Sequence, residues 1–157
     1  MKVSLMKGVS FGLTTAIITT LALIVGLNAS TQSIAVIISG IMIIAIADAL
    51  SDSLGMHISE EASKKSSKEV RESTLATFIA KFLVGATFVI PIITMPLQTA
   101  VMVSIVLGLI LITILSYFIA KRDKSNPLWT IGEHVALTLF IIVLTHILGS
   151  WISSIFG

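Results

Sequence analysis

Residues 33–57 read SIAVIISGIMIIAIADALSDSLGMH, and this stretch decides the fold. Its first fifteen residues carry no charge. As a helix rising about 1.5 Å per residue, the stretch is long enough to cross the roughly 30 Å hydrocarbon core of a bilayer. In lipid a spanning segment has to satisfy its own backbone hydrogen bonds, which a helix does and an open strand does not. Four further stretches have the same character: residues 8–27, 74–94, 97–120 and 128–151. The expectation is an all-α integral membrane protein, a bundle of five transmembrane helices forming a single domain over residues 1–157.

Composition agrees. Of the 157 residues, 55% are apolar and 11% charged, where a soluble domain carries about 25% charge. The mean hydropathy is +1.07. So few charges cannot cover a surface in water. The absence of cysteine excludes disulfides, thiolate metal sites and iron–sulfur ligation. The apolar run after residue 7 is longer than the roughly 7–15 residues of a signal peptide, so it is read as a span.

The pI of about 9.1 is a topology signal. Lys2, Lys7, Lys64, Lys65, Lys68, Arg71, Lys121, Arg122 and Lys124 fall on one side of the predicted bundle, and Lys81 alone falls elsewhere. The positive-inside rule places that side, with the amino terminus, in the cytosol. A nucleic-acid partner is not expected. In a prokaryote that membrane is the plasma membrane. Residues 59–73 are the one sizeable hydrophilic segment. They read as a solvated helical linker on the cytosolic side, in which Glu60, Glu61, Glu69 and Glu72 pair locally with Lys and Arg. Pro91 and Pro96 mark a tight uncharged hairpin at the other side. No nucleophile–base pair, phosphate loop or zinc motif suggests an enzyme.

The second span carries the chemistry. Asp48, Asp52 and Met56 stand at i, i+4 and i+8, on one helical face. Counted from the cytosolic boundary, the two acids lie about 15 and 10 Å deep, where each costs roughly 2.5–3.5 kcal/mol on insertion scales. Lys81, at similar depth, can pair with one of them and leaves the other over. His57, Glu133 and His134 also fall in the inner half. Two carboxylates and a thioether suit a first-row divalent cation such as Fe²⁺ better than Mg²⁺ or Ca²⁺. Lys81 can hold the aspartates while metal is absent. His146 reads as a helix contact. Small residues form a stripe on the first span (Gly8, Gly12, Thr15, Thr19, Ala22, Gly26) and a shorter one on the second (Ala47, Ser51, Gly55). Such stripes let backbones approach, in ordinary packing, at a dimer seam or along a permeation path.

Residues 47–59, ADALSDSLGMHIS, resemble the signature of the vacuolar iron transporter family. Gly12-Leu13-Thr14-Thr15 and Leu144-Thr145-His146-Ile147-Leu148-Gly149 resemble its first and closing helices. The resemblance implies a homodimer that exports Fe²⁺ or Mn²⁺ from the cytosol in exchange for protons, along a path between the first and second spans of two protomers, and, in a eukaryote, residence in a vacuolar-type membrane. It carries the family's site positions onto Asp48, Ser51 and Gly55. The chain departs from the pattern at three places. Phe11 stands at an acidic position, Asp52 and Met56 exchange the family's Met and acid, and residues 59–73 replace a long glutamate-rich insert. The expected metal ligands are thus Asp48, Asp52, Met56, His57 and Glu133, with Lys81, Ser51 and Gly55 in pairing or gating roles and no tightly bound cofactor. The alternatives are a carrier of another solute with the aspartates as proton relay, and a non-transporting scaffold.

Overall fold

A computed structural model describes residues 3–156; Lys2, one of the basic residues placed on the cytosolic side, lies outside them. The described chain forms α1 (Val3–Thr31), α2 (Ile34–Ala62), α3 (Ser67–Thr87), α4 (Val89–Thr94), α5 (Leu97–Arg122) and α6 (Pro127–Phe156), with no strand among the described residues. With α3 and α4 taken as one crossing, five helical segments are long and apolar enough to cross a membrane.

Polar groups lie among the buried residues, and the exterior is rich in large apolar side chains. Thr20, Ser53, Ser73, Thr77, Lys81, Ser104, Ser116 and Thr138 are buried, while Leu50, Leu54, Ile110, Phe140 and Ile147 are exposed. In water this arrangement would strip hydration from the polar groups and expose the apolar ones. Surrounded by hydrocarbon it is the favourable one, because buried hydroxyls then find partners in the bundle. Most do so by bonding a carbonyl one turn back, as Ser116 Oγ does to Ile112 O at 2.6 Å.

Helix α1 is the axis of the bundle and touches α2, α3, α5 and α6. Its Ile17, Leu21 and Ile24 join Ile37 and Ile41 of α2, Phe88, and Ile112 of α5 in the apolar core. The small-residue stripe serves two neighbours. At one end Gly8 and Gly12 lie against the α3 backbone at Ser73 and Thr77, and a Cβ on either would run into a carbonyl oxygen. At the other end Gly26 lies 3.5 Å from the Thr145 carbonyl of α6, measured from a Cβ built on it. Between these ends Thr15 and Thr19 are only half-buried.

Helices α2 and α3 run on into residues 59–73, read as a helical linker, which is not helical throughout: residues 63–66 lie between the two helices. Ser66 caps α3, and Glu69 returns a bond to the Ser66 backbone in a capping box. Lys64, at φ 54°, adopts the left-handed conformation that ends many helices. The third crossing is also not one continuous helix over 74–94. It breaks at Phe88, three residues before Pro91. Proline has no N–H, and its ring crowds the carbonyl four residues back, here that of Thr87.

Candidate functional site

The buried seam of α2 runs through Ile37, Ile41, Ala45, Ala49, Ser53, Met56 and Glu60. Asp48 and Asp52 stand one position to the side of that seam, so each is partly covered by the bundle. Small residues bring α3 close: a Cβ on Gly85 would lie 3.5 Å from the Ala45 Cβ. One turn nearer the start of α3, buried Lys81 therefore faces the two aspartates across a short gap.

Lys81 Nζ lies 2.6 Å from Asp48 Oδ2 and also donates a hydrogen bond to Asp52 Oδ2. This corrects the expectation that one aspartate is left over, since a single ammonium bridges both. The two contacts are unequal. Asp48 Oδ2 is buried and its contact with Lys81, though short, is too poorly aligned to be a hydrogen bond. With all three groups ionised the cluster carries a net charge of −1.

The aspartates are not sealed. Their side chains keep 26% and 22% of their accessible surface, against 3% for Lys81. Asp48 forms one end of a groove of about 840 Å³ between α1 and α2, otherwise lined by apolar and small residues that include Leu23, Gly40, Ile44 and Ala47. A second hollow of about 470 Å³ shares Leu23, Leu27 and Ile44 with it and extends to Thr145 and Gly149 of α6. Asp48 thus faces an apolar trough along α1, and the base lies on the core side.

The remaining expected site residues are dispersed. Met56 is buried in the α2 seam. His57 Nδ1 shares a hydrogen bond with Thr74 Oγ1 at 3.3 Å. Glu133 lies on the exposed face of α6 beside Leu128, Trp129 and Gly132, with no polar partner among the described residues. Neighbouring His134 is engaged with Ser116 Oγ at 2.8 Å. Ser51 and Gly55 are exposed, and a Cβ on Gly55 would meet nothing within 4 Å. Among the described residues no three His, Asp or Glu side chains come together to hold one metal ion. Of the five expected ligands, the chain by itself unites Asp48 and Asp52.

A second lysine–carboxylate pair was not foreseen. Glu60, read above as part of a solvated linker, is buried and paired with Lys7 of α1. Ser4 Oγ donates to Glu72 at 3.3 Å, and Thr77 Oγ1 donates to the Gly8 carbonyl at 3.3 Å, so the start of α1 is tied to both α2 and α3. The sequence did hold a signal for Glu60. It continues the i, i+4 series of Asp48, Asp52 and Met56 by one more turn, but its place in a run of mixed charge disguised it.

No protein-family model matches the chain, and comparison with curated proteins and with solved structures gives no match.

Proposed function

We propose that the protein is a membrane carrier that moves a divalent transition-metal cation, Fe²⁺ or Mn²⁺, out of the cytosol in exchange for protons. One observation carries the reading. Two carboxylates share one ammonium at mid-helix, and one of them, Asp48, opens onto a trough; with all three groups ionised one negative charge is uncompensated. A charge in that position is costly and marks an ion or proton pathway by default. It attracts a second cation, and a proton on one aspartate makes the cluster neutral. A site that prefers either a metal ion or a proton is the minimum equipment of an antiporter.

The resemblance of residues 47–59 to the vacuolar iron transporter signature supports the choice of cargo. Two acidic ligands are too few for a metal ion in a dry site, and a symmetric second copy doubles them. The exposed small face of α2, with Ala47, Ser51 and open space at Gly55, suits close approach of a second helix. In the working cycle the cation enters from the basic, cytosolic end and displaces Lys81 from the aspartates. It leaves on the other side, and a proton accompanies the return.

In proteoliposomes with an imposed pH gradient, Fe²⁺ or Mn²⁺ flux is expected from the intact protein and is abolished in the Asp48→Asn, Asp52→Asn double variant. Undiminished flux in that variant removes the mechanism. The dispersal of Met56, His57 and Glu133 favours a second reading, a proton relay serving another solute. Thermal stability in detergent separates the two: Fe²⁺ or Mn²⁺ raises Tm well beyond Mg²⁺ for a metal carrier, by linkage to the folded state, and not for a relay.

A further inference from the structure

Glu60 is the most deeply buried acid in the described chain: its side chain is 1% exposed, and its partner Lys7 is 50% exposed. The carboxylate therefore looks outward through the lysine that covers it. It lies in the last turn of α2, at the end of the bundle that carries the basic turns. Asp52 is two turns further in, roughly 12 Å along the helix, and buried Met56 lies between them on the same i, i+4 row. At both stations a carboxylate of α2 holds an ammonium from another helix, from α1 at Glu60 and from α3 at the aspartates. An ammonium on a carboxylate is the simplest stand-in for a cation that is not there.

Resting on the carrier reading above, we infer that Glu60 is the first cation station on the cytosolic side and that Lys7 is its gate. A divalent cation arriving from the cytosol exchanges with the Lys7 ammonium. Half-exposed Lys7 swings into water as the cation takes its place on Glu60. The cation then passes along α2, by way of the Met56 thioether, to Asp52 and Asp48. Closure by Lys7 seals the path behind it, and the attachments of Ser4 and Gly8 to α3 hold α1 in place for that closure.

The two partners of one ion pair then have opposite effects on transport, which a purely structural pair does not give. Glu60→Gln removes the station, and the KM for metal taken up from the cytosolic face rises about tenfold, the worth of one charge-assisted contact. Lys7→Met removes the competitor, and KM falls. Because Lys7→Met strands a buried carboxylate and can misfold, the Lys7→Met, Glu60→Gln double variant is the decisive one. It keeps a neutral, well-matched pair. It shows the raised KM of Glu60→Gln if Glu60 is a station, and the KM of the unaltered protein if the pair is structural. Equilibrium metal affinity, read as the Tm shift in detergent, is unchanged in the double variant because Asp48 and Asp52 are intact. Effects of one sign in both single variants, or an unaltered double variant, overturn the gate and leave the carrier standing. Absence of any metal flux or metal-induced Tm shift in the unaltered protein overturns both.

Discussion

The two lysine–carboxylate pairs are mirror images in burial. At mid-bundle the base is buried and the acids are partly open: Lys81 at 3% exposure faces Asp48 at 26% and Asp52 at 22%. At the basic end the acid is buried and the base is open, with Glu60 at 1% and Lys7 at 50%. The stability of each pair should therefore hinge on the partner whose removal leaves a charge stranded, and that partner differs. The inner pair has one cation for two anions, so it depends on its lysine. The outer pair is matched one to one, but its lysine can reach water and its glutamate cannot.

Lys81→Met is expected to have the largest effect, because it strands two mutually repelling carboxylates. Breaking a buried pair by removing one partner costs about 3–5 kcal/mol, read as a fall in Tm in detergent. Asp52→Asn leaves Lys81 on Asp48 and should cost about 1 kcal/mol, the worth of an ordinary hydrogen bond. Equal losses in the two variants would mean that Lys81 is not shared as the structure has it.

At the outer pair the asymmetry falls on the exposed partner. Lys7→Met should destabilise by several kcal/mol because it leaves Glu60 buried and unpaired. Glu60→Gln should cost about 1 kcal/mol or less, since Lys7 turns to solvent and the amide fills the same space. The reverse order in thermal unfolding would show that Glu60 reaches water and would break the contrast between the two pairs.

The smallest effects test the packing that aligns these groups. A methyl at Gly8 would collide with the Ser73 carbonyl of α3, so Gly8→Ala should cost about 1–3 kcal/mol as an overpacked contact. Gly55→Ala meets open space and should change monomer stability by no more than about 0.5 kcal/mol. If α2 faces a second copy there, Gly55→Leu lowers the dimer fraction in cross-linking while leaving the monomer folded.

The sequence alone determined the crossings and the acidic row of α2. Hydropathy and the bilayer's thickness set segment length, and the 3.6-residue period set which side chains share a face. It placed the ends less well, because helical hydrogen bonding continues into polar residues where hydropathy has already fallen. The Ser66 and Glu69 pair lay unread at the true start of α3, and Pro91, read as part of the hairpin, lies inside α4 just after the break in the third crossing. Tertiary structure alone decided that one lysine serves both aspartates and that Glu60 is buried against Lys7. These partners lie 29 and 53 residues apart in the chain for Lys81–Asp52 and Lys7–Glu60. Periodicity gives a side chain its direction but not the helix it meets. In a bundle whose exterior is largely apolar, that choice falls to close contacts at small residues such as Gly8, Gly12 and Gly85, which fix how each helix is rotated against the next.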